Sequence, residues 1–350
     1  MCLDIEGCDM RAAWIERFGG LDVIQVGDRP KPERRHGEVL VKIHASTLNH
    51  HDVYLRRGEA GQIRLPVVLG SDGAGTVMES DALSIFQAGD KVVIYPVLSC
   101  GACVNCRNHL PHKCCCGFGM VGGERDGTQA EYLVLPETNL LAMPECLNFE
   151  TAAAVSLAGL TAWNMVVDES HVKRGEHALL LGASGGVGVF TLKLLKKFGV
   201  HVHAVTSSPE KANALLELGA DSVLADSAVE ILRFTRSLPD RGVDVAFNCV
   251  GGNTWRYVPP AVRAGGRILV CGTVRSPVAE LDLRQIFYRN VSIIGCSMGS
   301  PESLKKMLDY IASDPTLQIP IDHVIDLDQI ANGHSRLEAG EVVGKIVVKI

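Results

Sequence analysis

The 350-residue sequence has no run of about 18 apolar residues, the length that a membrane-spanning helix needs. It also has no excess of basic residues, because 34 lysines and arginines accompany 40 aspartates and glutamates, a net charge of −6. Without a basic surface the chain is not expected to bind nucleic acid or a membrane, and a small molecule is the expected partner. The segment Met1–Met10 contains acidic residues and no apolar core, so no secretory signal is expected and a cytoplasmic location is predicted.

The twelve cysteines are too few for a disulfide scaffold in a chain of this length. Four of them form a C-x2-C-x2-C-x7-C array, made of Cys100, Cys103, Cys106 and Cys114. Four thiolates complete the tetrahedral shell of a structural zinc ion and leave no position for a substrate. One structural Zn²⁺ per chain is therefore predicted. The fourth ligand is open, and the alternatives to Cys114 are Cys115, Cys116, His109 and His112.

The order of strand and helix patterns predicts two domains, as expected for this length. Up to about residue 150, short apolar runs alternate with glycine and proline, which is typical of a strand-dominated, partly closed sheet. Strands then alternate with helices, the pattern of a doubly wound parallel sheet. The tail after Met298 has one helical pattern and ends in an alternating strand, Lys345–Ile350, that fits the first sheet better than the second. The predicted α/β architecture has a discontinuous first domain at 1–153 and 298–350, a cysteine loop at 96–118, and a second domain at 154–297.

The segment 178–198 predicts a strand, a tight turn and a helix. Apolar residues precede the turn, and apolar positions at helical spacing follow it. Glycine lets the backbone approach a pyrophosphate, and the first N–H groups of the helix attract its charge. Such a turn also occurs without a ligand, but the surrounding parallel pattern favours a dinucleotide site. The residues predicted to form it are Gly182, Ser184, Gly185, Gly186, Val187 and Gly188.

The end of the second strand of this domain indicates which dinucleotide is bound. An acidic residue there would hold the ribose 2′-hydroxyl and repel a 2′-phosphate. This sequence instead has hydroxyls at Thr206, Ser207 and Ser208, followed by Glu210 and Lys211. Neutral hydroxyls and a lysine favour NADP(H) over NAD(H), although serine and threonine are also common turn residues.

Taken together, these segments resemble the medium-chain dehydrogenase/reductase superfamily, both its zinc-type alcohol dehydrogenases and its quinone oxidoreductases. The resemblance covers nearly the full chain and implies a β-rich GroES-like catalytic domain interrupted by a Rossmann domain. The segments that carry it are Asn-His-His-Asp at 49–52, 69–75, 88–93, the cysteine array, Leu-Thr-Ala-Trp at 160–163, the glycine turn, Cys-Val-Gly-Gly at 249–252 and Gly-Lys-Ile-Val at 344–347.

The chain departs from the zinc alcohol dehydrogenases at their catalytic metal. Those enzymes hold zinc with a Cys, a His next to a Glu, and a later Cys or Asp. The corresponding positions here are Asn49, Ser71 with Asp72, and Leu157, so all three ligands are predicted to be lost. Without a metal to lower the pKa of an alcohol, oxidation by that route is not expected.

The expected reaction is therefore NADPH-dependent hydride transfer to an activated double bond or a quinone, and the expected substrate is an enone, a quinone or an aldehyde. The resemblance suggests Asn49 and Tyr54 as hydrogen-bond donors, and it places His51 where a proton-relay residue usually lies. It implies cofactor contacts from His50, Thr161, Cys249 and Gly272.

Two other functions remain open at this point. One is an alcohol or aldehyde dehydrogenase whose metal is bound by His50, His51 and Asp52. The other is a non-catalytic, NADPH-binding redox sensor in which the extra cysteines report the thiol state. A further candidate metal pair is His201 with His203, on one face of a strand. The family also implies a homodimer that pairs through residues 291–295.

Overall fold

The computed structural model describes residues 9–61, 63–314 and 316–350. Residues 1–8, which the sequence assigns to the first domain and which include Cys2 and Cys8, lie outside the described residues. Within the described ranges, no helix combines the length and the apolar character that crossing a bilayer requires.

Strands and helices follow one another in this order. The strands are β1 Asp9–Ile15, β2 Ile24–Pro30, β3 Glu38–Thr47, β4 Val67–Val68, β5 Gly73–Glu79, β6 Lys91–Ile94, β7 Val97–Leu98, β8 Gly119–Met120, β9 Tyr132–Pro136, β10 Leu140–Ala142, β11 His177–Leu181, β12 His201–Thr206, β13 Ser222–Ala225, β14 Val243–Asn248, β15 Val262–Val270, β16 Ser292–Gly295, β17 Ile321–Asp326 and β18 Lys345–Lys349. The helices are α1 His50–Arg57, α2 Val104–Arg107, α3 Phe149–Ala154, α4 Leu160–Trp163, α5 Gly186–Lys197, α6 Ala212–Glu217, α7 Ala228–Ser237, α8 Val258–Ala261, α9 Arg284–Phe287, α10 Pro301–Ser313 and α11 Ile330–Glu338.

The chain divides into two compact units. The first contains the described residues up to Leu157, together with Ser300–Thr316 and Ile321–Ile350. The second contains Ala158–Gly299 and Leu317–Pro320. The domain limits drawn from the sequence stay a prediction.

The first unit is built around a seven-stranded sheet in the order β10-β6-β5-β3-β18-β17, with β9 also pairing with β3. A three-stranded sheet, β2-β1-β4, and the two-strand pair β7-β8 belong to the same unit. Val41, Ile43, Val92, Ile94 and Leu135 are buried in its core, as expected where β-branched and leucine side chains alternate into one face. This is the β-rich unit that the sequence predicted.

The C-terminal tail supplies two strands to the first sheet. β18 pairs antiparallel with β3, in the register Val347 to Thr47, and parallel with β17. The expectation of one helix in the tail is wrong, because both α10 and α11 are present. The centre of α11 is Asn-Gly-His-Ser, whose helix propensity is low, so packing rather than local preference stabilises it. A Cβ on Gly333 would lie 2.4 Å from Leu48 Cδ1, which shows how closely this helix packs.

The second unit has a six-stranded sheet in the order β13-β12-β11-β14-β15-β16, with every pair parallel. The strand order reverses between β11 and its neighbours, as in a doubly wound fold. Its core includes the fully buried Leu179, Ile231, Ala246 and Ile268. The predicted doubly wound sheet is confirmed.

Candidate functional site

Four cysteine side chains converge in the loop between β7 and β8 of the first unit. Their Sγ atoms are 3.4 Å apart for Cys114 and Cys100, 3.5 Å for Cys103 and Cys106, and 3.9 Å for two further pairs. Sulfurs bound tetrahedrally to zinc at about 2.3 Å would be about 3.8 Å apart. Over the described residues, no other set of three or more Cys, His, Asp or Glu side chains gathers its donor atoms in this way. We call this group the cysteine centre, and its donor chemistry fits a structural zinc ion.

The alternative ligands lie outside the four-sulfur group. The N–H of Cys115 donates to Cys103 Sγ at 3.4 Å, while the side chains of Cys115 and Cys116 are exposed. His109 and His112 do not join the group either. Hydrogen bonds from the N–H groups of Cys106 and Cys115 lower the pKa of Cys103 to about 5. A thiol of that acidity is a thiolate at neutral pH, which is the form that binds zinc.

The predicted dinucleotide turn connects β11 to α5 in the second unit. Gly182 has φ +73°, and its carbonyl accepts a hydrogen bond from the N–H of Gly185 at 3.1 Å. A Cβ on Gly188 would lie 2.1 Å from Gly182 O, so only glycine permits this packing of helix against turn. Helix α5 begins at Gly186, and its first N–H groups are therefore available to an anion. The structure brings all six predicted residues of the turn together, with Ser184, Gly185, Gly186 and Val187 half-buried.

The end of β12 carries both a hydroxyl turn and a carboxylate. Thr206 Oγ1 accepts a hydrogen bond from the N–H of Ser208 at 3.1 Å, and Ser207 is exposed. The hydroxyl of Ser208 donates to Glu210 Oε2 at 2.6 Å, and this hydrogen bond lowers the pKa of Glu210. Lys211 follows in the same short helical turn and is half-buried. A negative and a positive group therefore both follow this strand.

The remaining predicted cofactor residues of the second unit lie on three elements. Thr161 is buried in α4, and its hydroxyl contacts Met298 Sδ at 3.9 Å. Cys249 and Gly272 directly follow β14 and β15, two neighbouring strands. A Cβ on Gly272 would lie 2.3 Å from Cys249 O, so this position also requires glycine. His50 belongs to the first unit.

A buried ammonium lies among the residues that stand at the lost zinc-ligand positions. Lys345 Nζ donates to Asn49 Oδ1 at 2.5 Å and to Leu48 O at 3.0 Å, and it lies 3.4 Å from Asp72 Oδ2. Asn49 Nδ2 donates to Asp72 Oδ1 at 3.0 Å. The side chains of Lys345 and Asp72 are 2% and 0% exposed, so both charges depend on their partners in the protein. We call Asn49, Asp72 and Lys345 the lysine centre.

The role of Lys345 was missed by sequence reasoning. In an alternating strand Lys345 shares its face with Lys349, so the pattern predicts that both lysines are exposed. The structure exposes Lys349 and buries Lys345. Only the partner side chains from β3–α1 and β5 explain the difference, and these are far away in sequence.

Helix α1 carries the other candidate catalytic residues of the first unit. Asp52 Oδ2 accepts a hydrogen bond from the N–H of Asn49 at 2.7 Å, and burial together with the Asp72 carboxylate raises the pKa of Asp52 to about 7. Burial lowers the pKa of His51 to about 4, and burial with the Lys345 ammonium lowers the pKa of His50. His51 is therefore a neutral imidazole at pH 7. Tyr54 is half-buried, with its ring centroid 6.5 Å from that of His50.

The histidines of the parallel sheet form a hydrogen-bonded stack. His177 Nδ1 lies 2.9 Å from His203 Nε2, and the rings of His177 and His201 stack at 4.8 Å between centroids. His203 Nδ1 lies 2.9 Å from Ser222 Oγ. Burial lowers the pKa of His203 to about 4. Both nitrogens of His203 are thus used within the protein, and the pair with His201 does not form a metal group among the described residues.

Two family models match the chain. An alcohol dehydrogenase GroES-like domain matches residues 35–145, and a zinc-binding dehydrogenase domain matches residues 186–313. A zinc-type alcohol dehydrogenase-like protein of Schizosaccharomyces pombe is 30% identical over 349 residues, which cover 96% of this chain and 97% of that one. The chain belongs to the medium-chain dehydrogenase/reductase superfamily.

Relatives in this superfamily carry different names. A quinone oxidoreductase of Pseudomonas aeruginosa is 29% identical, covering 95% of this chain and 97% of its own. A solved structure titled as an NAD-dependent alcohol dehydrogenase is 36% identical with a TM-score of 0.90, covering 97% of this chain and 100% of its own. The family and the fold predicted from the sequence are confirmed. The chain is an oxidoreductase of this superfamily with a nucleotide-binding dehydrogenase fold.

Proposed function

We propose that this oxidoreductase uses NADPH to reduce a quinone or an activated double bond and has no catalytic zinc ion. The observation that carries the proposal is the lysine centre. At positions where the zinc alcohol dehydrogenases hold a metal, Asn49 and Asp72 direct their oxygens to the ammonium of Lys345. The similarity to a quinone oxidoreductase over 95% of the chain supports the same substrate class.

The ammonium opposes metal binding at this place. A divalent cation would need the amide and carboxylate oxygens that Lys345 already occupies, and it would place two cations side by side in a buried site. Without a Lewis acid an alcohol keeps its high pKa, so its oxidation is slow. A quinone or an enone is already electron-poor and needs only a hydrogen-bond donor at the oxygen that gains charge.

The bound cofactor would supply the hydride, and the chain supplies donors. The amide of Asn49 has two N–H groups, of which one donates to Asp72 and the second is proposed to face the substrate. Its orientation is set, because its oxygen accepts from Lys345. Tyr54 is the second proposed donor. His51, whose pKa is about 4, is proposed as a neutral relay rather than a charged acid.

NADPH is proposed over NADH because Lys211 follows the hydroxyl turn at the end of β12. Glu210 acts in the opposite direction, since its carboxylate would repel a 2′-phosphate. The variant Lys211→Ala should raise the KM for NADPH and leave that for NADH nearly unchanged. Glu210→Gln, the matched variant, should lower the KM for NADPH. Equal changes with both dinucleotides would remove the basis for the preference.

One structural Zn²⁺ per chain is proposed for the cysteine centre, and a homodimer is proposed to pair through β16. This strand is at the edge of the six-stranded sheet and leaves Ile293 40% exposed. An edge with exposed apolar residues can pair with the same edge of a second copy. Analytical ultracentrifugation would distinguish the dimer from a monomer.

The decisive experiment measures NADPH consumption with quinones, enones, enoyl thioesters and aldehydes, on protein whose zinc content is known. We expect turnover of a quinone or an enone at about one zinc per chain. Asn49→Ala should lower kcat on the order of a hundredfold, because a donor to the developing oxyanion is lost. Turnover of alcohols only, or two zinc ions per chain, would contradict the proposal.

A further inference from the structure

Three cysteines follow three neighbouring strands of the second unit. Cys249 follows β14, Cys271 follows β15 and Cys296 follows β16. The carboxyl ends of neighbouring parallel strands meet at one edge of a sheet. Cys271 Sγ lies only 3.5 Å from Cys249 Sγ. These two thiols are therefore paired across adjacent strands, outside the cysteine centre.

The backbone holds the two cysteines in register. Asn248 and Val270, the residues just before them, are cross-strand partners, and the N–H of Cys271 donates to Asn248 O at 3.4 Å. Neighbouring strands lie about 4.8 Å apart, within the range of about 4.4–6.8 Å between Cα atoms that a disulfide spans. The glycine at position 272 permits this close approach, since a Cβ there would lie 2.3 Å from Cys249 O. A bridge therefore requires movement mainly of the side chains.

Exposure separates this pair from the third cysteine. Cys249 and Cys271 are half-buried, whereas Cys296 is buried and its thiol contacts Ile294 O at 3.8 Å. Contact with Cys249 and burial raise the pKa of Cys271. Cys249 is then the thiol that a small oxidant meets first as a nucleophile, and Cys271 is the thiol that resolves the product.

We propose that Cys249 and Cys271 form a reversible dithiol–disulfide site whose oxidant is a hydroperoxide. The thiolate of Cys249 attacks the hydroperoxide, an S–O bond forms, the O–O bond breaks and an alcohol, or water from hydrogen peroxide, leaves. Cys271 then attacks the sulfenic sulfur, the S–S bond forms, and the hydroxyl leaves as water with the proton of Cys271. Two thiols are oxidised by two electrons and one hydroperoxide is reduced. This site is independent of the proposed reductase reaction.

The test treats the zinc-loaded, full-length protein with hydrogen peroxide, blocks the remaining thiols and digests the chain with trypsin. Cys249 is the only cysteine of peptide 242–256, and Cys271 is the only cysteine of peptide 268–275. We expect these two peptides to appear linked, with the loss of two hydrogen masses, and to separate after dithiothreitol. Cys249→Ser should abolish the linked species, whereas Cys146→Ser, which removes an exposed cysteine elsewhere, should leave it unchanged.

Zinc content is measured in the same samples, so that oxidation of the cysteine centre is recognised separately. A link between 268–275 and 290–305, the peptide of Cys296, would overturn the assignment of the partner. Recovery of both peptides as singly blocked thiols, at a peroxide dose that oxidises Cys146, would overturn the site itself. Both outcomes are read from the unsubstituted protein and do not depend on the folding of a variant.

Discussion

The cysteine centre and the lysine centre, both in the first unit, solve the same electrostatic problem in opposite ways. Each gathers groups that carry or accept negative charge. The cysteine centre offers four sulfurs within 4.8 Å of one another and no side-chain cation among them. The lysine centre contains its own cation, the Lys345 ammonium, between an amide oxygen and a carboxylate. The first should therefore depend on a metal for its stability, and the second should depend on a charge supplied by the protein.

Removal of a zinc ligand should have the largest effect on this comparison. Cys103→Ser is expected to abolish the bound zinc and to lower the thermal midpoint, because structural zinc binding is coupled to the folding of its loop. Elemental analysis and a thermal melt measure both quantities on the same sample. A chelator added to the unsubstituted protein should reproduce the loss.

The matched control is Cys115→Ser, which removes an exposed thiol one residue from the centre. It should keep about one zinc per chain and the original midpoint. If Cys103→Ser kept its zinc and its stability but lost turnover, the cysteine centre would not be structural.

Removal of the buried ammonium should have the next largest effect. Lys345→Met leaves the Asp72 carboxylate buried without its cation, and breaking a buried pair in this way costs about 3–5 kcal/mol of the free energy of unfolding. Urea denaturation with the Lys345→Met variant measures this cost. Lys349→Met, on the same strand but exposed, is the control and should change the stability little.

A double variant separates charge from packing. Adding Asp72→Asn to Lys345→Met removes the unpaired carboxylate and should recover part of the lost stability. If the double variant lost the sum of the two single effects, the two residues would not be coupled and the lysine centre would not be a unit.

These two centres also show how much of the site could be read from the sequence. The cysteine array is local, since four ligands fall within 15 positions, and their spacing alone predicted the group that converges in the structure. The lysine centre is not local, because Lys345 and Asn49 lie 296 positions apart. The side-chain pattern of β18 also predicted the wrong exposure for Lys345. A single sequence records local spacing but not which distant side chain meets a buried polar group.

The fold follows the same rule. The strands of the parallel sheet were predictable, because buried strands appear as apolar runs between helical patterns. Helix α11 was not, since its Asn-Gly-His-Ser centre has low helix propensity and the helix forms through packing. The contact of His177 with His203 was also missed, because the pairing of β11 with β12 is a tertiary property.

The pH dependence of stability should sharpen the description of the lysine centre. Burial and the Asp72 carboxylate raise the pKa of Asp52 to about 7, from 3.8. The folded state thus holds this proton more tightly than the unfolded state does, so the contribution of Asp52 to stability is complete below about pH 4 and is lost as the pH rises to about 7. Asp52→Asn keeps an oxygen that accepts from the N–H of Asn49 but does not titrate.

The measurement is the free energy of unfolding of the two proteins at pH 5 and at pH 8. The advantage of the unsubstituted protein over Asp52→Asn should shrink between these pH values by about 1–3 kcal/mol, on the scale of about 1.4 kcal/mol per pKa unit. Other titrating groups are common to both proteins and cancel in the difference. A difference that does not change with pH would mean that Asp52 titrates near its ordinary pKa.

The smallest effect is expected where a side chain only orders the loop around the cysteine centre. Asn105 Nδ2 donates to Lys113 O at 2.5 Å, which connects α2 to the segment before Cys114. Asn105→Ala should lower the free energy of unfolding by about 1 kcal/mol, the usual net value of such a bond. The zinc content should stay at about one per chain while a chelator removes the ion faster, as followed with a colorimetric zinc indicator. If the variant instead lost its zinc at equilibrium, the loop framework rather than the metal would hold the four thiols together. The contrast with the lysine centre, whose charge is built into the chain, would then disappear.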